Sequence, residues 1–236
     1  MTGVIRAPKS YLVRTELDSL LAGLDVGDPV PAERELALRF GVARETVRQA
    51  LHELLVEGRI ERRGRGTVVS RPKLVQPLSL RSYTEGAVRM GRTPGRLPVS
   101  WDDVRADADT AAALGVRRGA KVMHLERVLL ADGDRIGLES TYLTVQRFGW
   151  LRESFDPTTS LYAALRASGV EFGAALERIE TALPSPREAD LLGTTTAMPV
   201  LMLNRRTVDT DDHPIEVVRA IYRGDRVAFE ALLADR

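Results

Sequence analysis

Between Val30 and Val69 the chain runs VPAERELALRFGVARETVRQALHELLVEGRIERRGRGTVV, and no other stretch constrains the fold as much. In about forty residues it holds two short helical patterns, a tight turn and a basic hairpin. Pro31 suits a first helical turn, and Leu36, Ala37 and Phe40 share one face, so the spacing predicts a helix over Ala32–Phe40 that Gly41 stops. A second helix is expected from Arg44 to Glu57, with Val47, Ala50, Leu51, Leu54 and Leu55 as its buried stripe and Gly58 as its stop. The pair reads as a helix-turn-helix.

On the second helix Arg44 and Arg48 lie four apart, beside Glu45 and Gln49 and away from the apolar stripe, so both guanidinium groups point outward. That N-terminal half is what enters a major groove. Arginine can grip guanine O6 and N7 with two parallel hydrogen bonds, glutamine can do the same with adenine, and Thr46 can bond a phosphate or a base edge. A solvated helix face is the alternative for each side chain alone. The next segment weighs against it, because Arg59, Arg62, Arg63, Arg65, Arg71 and Lys73 face only Glu61, and Gly64 to Gly66 are expected to give the turn its positive dihedrals. Such a basic wing brings the charge and the close backbone approach that a sugar-phosphate strand requires.

The whole stretch resembles the winged helix-turn-helix of the GntR family of bacterial transcription regulators. By that resemblance Arg34 in AEREL, Arg44, Thr46 and Arg48 in ARETVRQAL, and Gly66 of the wing match operator-contacting positions. The DNA-contacting set expected is therefore Arg34, Arg44, Thr46, Arg48, Gln49, Arg65 and Gly66. Ala43 departs from the family, whose relatives often place Ser or Thr there, so capping comes from elsewhere or is about 1 kcal/mol weaker.

At 236 residues and 44% hydrophobic, the chain suits two domains better than one. A formal net charge of +1 hides a polarity, since Asp102, Asp103, Asp107 and Asp109 crowd the stretch after the basic wing. Zero cysteines exclude a disulfide scaffold and a thiolate zinc site and fit a reducing cytoplasm. No apolar run approaches membrane-span length, and the N-terminus lacks the apolar segment of a secretion signal, so a soluble cytoplasmic protein is expected.

Residues 1 to 9 read as a loose tail, and Tyr11 to Leu24 as a helix with Leu12, Leu17, Leu20, Leu21 and Leu24 on its apolar face. The domain expected over 1–70 is followed by a proline-bearing linker, 71–80, and a second domain over 81–236. In the latter, helices are expected at Tyr83 to Met90, Asp109 to Leu114, Thr159 to Ala167 and Pro186 to Leu192. Strands are expected at Leu97 to Val104, Val122 to Ala131, Ile136 to Leu143, Ala174 to Leu183, Val200 to Thr207 and Ile215 to Tyr222, with Asp132-Gly133 a hairpin turn. Gly91 to Gly95 reads as a turn. The class is α+β with a mixed, mostly antiparallel sheet.

Six segments, LRSYTEG, HLERVLLADGDRIGLESTYL, TTSLYAAL, ERIETALPSPREADLLG, PVLMLNRRT and HPIEVVRAIYRGDRVAF, are similar to the effector-sensing UTRA domain of the HutC subfamily, whose fold is that of chorismate lyase. The likeness is to regulators of amino-sugar use of the DasR and NagR type, which respond to glucosamine 6-phosphate or N-acetylglucosamine 6-phosphate. The resemblance implies a homodimer on a near-palindromic operator, with the second domain for dimerisation. Chemically, Ser82, Thr84 and Ser160 offer hydroxyls, Arg127 a charged fork, Glu139 and Glu216 acceptors for sugar hydroxyls, and Tyr162 and Tyr222 rings. By resemblance Arg127 and the hydroxyls meet the phosphate. Relatives carry a second arginine two residues on, where this chain has Leu129, and one lost charge-assisted bond costs about 1.5–3 kcal/mol.

Other readings stand beside these. Arg127 and Glu139 suit a cross-strand ion pair, and Arg223, Asp225 and Arg226 a turn with a local pair. His52, His124 and His213 share no metal-ligand spacing, so neither a metal nor a cofactor is expected. A small-anion enzyme related to the chorismate lyase fold is the alternative function. It lacks support in the motifs, with no cysteine nucleophile, GxSxG elbow, Walker loop or GxGxxG unit, so no catalytic residues are assigned.

Overall fold

The computed structural model describes residues 9–233. The chain divides between Lys73 and Leu74 into two compact units. In the first, α1 (Lys9–Leu21), α2 (Glu33–Phe40) and α3 (Arg44–Val56) close over one apolar core, followed by a hairpin of β1 (Ile60–Arg63) and β2 (Gly66–Val69). The face of α1 differs from the one expected: Val13, Leu17 and Leu21, spaced by four, are buried, whereas Leu12 is exposed and the helix ends before Leu24. Of the expected tail, residues 1–8 lie outside the described residues. Gly41 adopts φ 64° and ends α2, the left-handed stop its position promised. No side chain caps α2 or α3, where Ala32 and Ala43 occupy the N-cap positions.

In the hairpin only Gly64 has a positive φ, 58°; Gly66 already pairs with Arg63 as strand, which corrects the expectation of a run of positive dihedrals. A two-residue turn with glycine first fits the twist of the flanking strands.

The second unit begins with β3 (Leu74–Pro77), so the stretch 71–80 is not linker throughout. Leu74 and Gln76 are buried there. In chain order follow α4 (Tyr83–Arg89), β4 (Pro94–Arg105), α5 (Ala108–Leu114), β5 (Lys121–Ala131), β6 (Asp134–Thr144), the single turns α6 (Val145–Phe148) and α7 (Leu151–Ser154), α8 (Leu161–Ala167), β7 (Phe172–Ala182), α9 (Pro186–Leu192), β8 (Val200–Asp209), β9 (Pro214–Arg223) and β10 (Val227–Glu230). A six-stranded sheet runs β4-β5-β6-β9-β8-β7, every neighbouring pair antiparallel. The parallel pairing is confined to β3 with β10, a separate two-stranded ribbon. Asp132 and Gly133, at φ 52° and 86°, form the β5–β6 turn. Ser82 and Ser185 each close a capping box at α4 and α9, fixing where those helices begin.

Register decides which residues meet. Arg127 of β5 lies opposite Glu139 of β6, Glu139 opposite Ala220 of β9, Ala220 opposite Leu203 of β8, and Leu203 opposite Ile179 of β7. Side chains in one such row share a face, and the next row on that face joins Val218, Arg205 and Glu177.

Candidate functional site

In the first unit Arg34, Arg44, Arg48, Gln49, Arg65 and Gly66 are exposed and Thr46 is half-buried. Arg44, Thr46, Arg48 and Gln49 occupy the first half of α3, Arg34 sits on α2, and Arg65 with Gly66 forms the tip of the hairpin. Glu33 anchors the arginines of α3, with Oε2 3.3 Å from Arg48 and 3.9 Å from Arg44. Arg48 also reaches Glu45 at 2.8 Å. These carboxylates hold the two guanidinium groups side by side on the solvent face, a presentation that suits groove-edge readout.

In the second unit Ser82, Arg127, Glu139, Ser160, Tyr162, Glu216 and Tyr222 all line one cavity of about 70 Å³. Seven positions scattered over some 140 residues of sequence, roughly the span set by the resemblance, thus meet in space. Thr84 is not on the wall; its hydroxyl accepts a hydrogen bond from Arg96 Nη2 at 2.6 Å and so holds that guanidinium. Ser82 and Ser160 sit at helix starts, where their hydroxyls accept from the backbone N–H of Glu85 and Ala163.

Arg127 is both an ion-pair partner and a cavity residue. Its Nη2 donates to Glu139 at 2.5 Å and its Nη1 to the carbonyls of Thr159 at 2.9 Å and Pro157 at 3.3 Å. Burial pushes the Glu139 carboxyl up, but the Arg127 charge and hydrogen bond outweigh it and hold it below its usual range. The Arg223–Asp225 pair is likewise formed, at 2.6 Å, within its turn.

Two arginines that the sequence reading did not assign complete the wall: Arg96 and Arg205. The strand expected to begin at Leu97 begins at Pro94, so Arg96, which lay between the expected turn and the expected strand, is a strand residue. Arg205 is paired with Glu177 at 3.0 Å and donates to the Tyr162 hydroxyl at 3.1 Å. Leu129 is fully buried among Ala87, Leu203 and Tyr222, so the place of the family's second arginine is filled by core, while positive charge enters from β4 and β8. Among the described residues Arg96 has no carboxylate within ion-pair distance; burial, and then repulsion from Arg127, lower its pKa. Strand alternation in NRRT offered a signal for Arg205, since only one of Arg205 and Arg206 can share the face of Glu216 and Arg127.

Glu216 accepts from Tyr162 at 2.5 Å and from Thr207 at 3.1 Å. Burial raises its pKa, and the nearby Glu139 charge adds to this. A raised folded pKa means a contribution to stability fully present below the unfolded value and lost as pH rises through the folded one. Glu216→Gln keeps an oxygen acceptor and removes that loss. The expected result is unchanged urea stability near about pH 4 and a gain over the parent near about pH 8; equal stability at both would show that Glu216 stays ionised at no cost.

Among the described residues, four side-chain N–H groups of residues that line this cavity are buried without a partner: Gln76 Nε2 and the Nε of Arg96, Arg127 and Arg205. All four are donors. Leaving a buried donor unpaired costs about 1–3 kcal/mol, so the cavity favours an occupant rich in oxygen acceptors.

Among the described residues one group has metal-like spacing: Asp209, Asp211 and His213, within 4.8 Å of one another. His213 thus stands with two acids, a neighbourhood missed by the spacing of the histidines alone. Asp209 accepts the amide N–H of Asp211 and of His213, each at 2.9 Å, and is paired with Arg147 at 2.5 Å. Its lone pairs are engaged in organising the β8–β9 turn.

Residues 13–69 match the family described as bacterial regulatory proteins, gntR family, and residues 89–228 match the UTRA domain. The chain is similar to the HTH-type transcriptional repressor PhnF of Mycolicibacterium smegmatis, 54% identical over 228 residues, covering 97% of this chain and 93% of that one. It is similar to the HTH-type transcriptional repressor NagR of Bacillus subtilis, 34% identical over 203 residues, covering 85% and 84%. The crystal structure of PhnF from Mycobacterium smegmatis superposes with a TM-score of 0.71, covering 95% of this chain and all of the other.

Proposed function

We propose, because this chain belongs to the GntR family of bacterial regulatory proteins and carries a UTRA domain, that its cavity binds a small anionic metabolite of the amino-sugar phosphate class and that occupancy lowers operator affinity. The chain is a transcriptional repressor of HutC type, and no helix among the described residues is long and apolar enough to cross a membrane. The observation that carries the effector reading is the set of four unpartnered donors, Gln76 Nε2 and the Nε of Arg96, Arg127 and Arg205, around one cavity. A phosphate supplies several oxygens to such donors, and the sugar hydroxyls of the same molecule can donate to Glu139 and Glu216. Arg96, which lacks a carboxylate partner, provides charge that an anion neutralises.

In this reading Arg44, Thr46, Arg48 and Gln49 face the major groove, while Arg34, Arg65 and Gly66 contact the backbone or the adjacent groove. Two copies on a two-fold site place two recognition helices one helical turn apart. The protein acts in the cytoplasm, where its operator is.

The test is fluorescence anisotropy on a labelled operator-like duplex at fixed salt, since salt alone moves such affinities by orders of magnitude. Addition of glucosamine 6-phosphate or N-acetylglucosamine 6-phosphate is expected to weaken binding about tenfold or more, in the range of ordinary coupling energies. Specific binding that neither compound changes would overturn the amino-sugar assignment and leave the repressor in place.

A further inference from the structure

Among the described residues four acids are buried: Glu126, Asp209, Glu216 and Asp225. Three have an arginine at ion-pair distance, Arg187 at 2.5 Å from Glu126, Arg147 at 2.5 Å from Asp209 and Arg223 at 2.6 Å from Asp225. Glu216 is 1% exposed and has no cation at such a distance among the described residues. Arg205, the guanidinium on its side of the cavity, is engaged by Glu177 and by the Tyr162 hydroxyl instead. The hydroxyls that reach Glu216 both end on one oxygen, since Tyr162 donates to Oε1 at 2.5 Å and Thr207 to Oε1 at 3.1 Å. Arg205 donates into the Tyr162 oxygen, so the single proton of the phenol is the one that goes to Glu216. Among the described residues Oε2 receives no hydrogen bond, and Glu216 lines the cavity. An ionised carboxylate is acceptor-only and wants donors at both oxygens, whereas a neutral acid wants them at one and offers a proton at the other. The second pattern is the one built here, and a buried charge without a partner gives way to its neutral form.

We infer that Glu216 stands in the cavity as a neutral carboxylic acid and donates its proton from Oε2 to an oxygen of the effector. The inference rests on the functional reading for the effector, and on the cavity wall alone for the proton. The other charged groups agree with it. Glu139 of β6 keeps its own charge through Arg127 of β5, and a second negative charge on Glu216 would be repelled by it. Arg81 ahead of α4, Tyr83 on α4, Arg96 of β4 and Tyr222 of β9 line the cavity too, and among the described residues none of them is bonded to Glu216. Burial, and after it the Glu139 charge, hold the pKa of this carboxyl up against the Tyr162 hydrogen bond. The acid therefore adds a fifth donor to the four already without partners, and it sets no negative charge against an anion. At a hydroxyl of the effector the contact turns round, with Glu216 giving a bond and Glu139 taking one. An oxygen of the effector is bonded at Glu216, and an ammonium group is not.

Infrared absorption of the full chain at about pH 7, where ordinary carboxyls are ionised, reads the proton without any ligand. The C=O band of a protonated carboxyl is expected, shifted by isotopic labelling of the glutamate carboxyl carbon and lost in Glu216→Gln. Its absence from the parent overturns the inference. Calorimetric titration with glucosamine 6-phosphate and N-acetylglucosamine 6-phosphate reads the donor. Glu216→Ala is expected to weaken binding about tenfold or more, and Glu216→Gln, which puts an N–H where the acid has its O–H, to recover most of that loss. From about pH 6 to about pH 8.5 the ratio of affinities is expected to stay level or move toward Glu216→Gln, by up to about tenfold per pH unit, because the parent can lose its proton and the amide cannot. Binding by Glu216→Gln no better than by Glu216→Ala, or a ratio that moves toward the parent as pH rises, makes the carboxylate the binding form and overturns the inference. If the band is present and neither compound binds the parent, the amino-sugar reading falls and the contact with it, while the proton stays assigned.

Discussion

Arg127→Ala is expected to leave operator affinity within about twofold of the parent and to abolish release by the sugar phosphates, a loss of response of about 100-fold or more in effector concentration. Two roles of one side chain set this size. Arg127 faces the cavity, and it also neutralises buried Glu139 while bracing the loop at Pro157 and Thr159. Removing one member of a buried pair costs about 3–5 kcal/mol, because the other is left charged without a partner. The melting temperature should therefore fall as well. The paired change Arg127→Met with Glu139→Gln removes both charges, should recover most of that stability and should still not respond. Anisotropy with and without effector, read beside a thermal melt, separates the two roles; if the double variant regained response, Arg127 would be a brace and not a ligand contact.

Arg48→Ala is expected to weaken operator binding about 10- to 100-fold and to flatten the preference at one base pair of each half-site, the scale of one lost bidentate contact. Arg48 is poised by two carboxylates, Glu33 and Glu45, on a helix whose opposite face is the core of the first unit. Nothing in that core depends on its guanidinium, so folding should be unchanged. Competition with single-base operator variants reads the effect. Equal weakening across all variants would make Arg48 a phosphate contact.

Much of the fold and of the cavity lining was legible because local rules and tertiary structure agree. The α2–α3 pair is announced by Gly41 and a four-residue apolar spacing, and the β5–β6 hairpin by Asp132-Gly133. The cavity residues Ser82, Arg127, Glu139, Ser160, Tyr162, Glu216 and Tyr222 were reached through resemblance together with chemistry. What escaped was set by partners distant in the chain. β3 and β10 are four residues each, and a parallel pair has no connecting turn to advertise it. Arg96 fell between the expected Gly91–Gly95 turn and the strand expected from Leu97, because Pro94 and Gly95 masked a strand that begins two residues before it. Arg205 sits in the NRRT run of β8, where alternation separates it from Arg206, and its register against Val218 and Glu177 brings it to the cavity. Leu129 looked like a lost charge; its burial shows a site whose charge is delivered by other strands.

The parallel pairing of β3 with β10 sets an order of events during synthesis. β3 leaves the ribosome directly after the wing, but its partner, Val227–Glu230, follows about 150 residues later. At about 5–20 residues per second the interval from Pro77 to Val227 lasts on the order of ten seconds. Gln76 and Phe229, one on each strand, both belong to the cavity wall. In the proposed reading, a nascent chain in that interval has its helix-turn-helix and wing made while the cavity wall still lacks Phe229, so the part read as DNA-binding precedes the part read as effector-sensing.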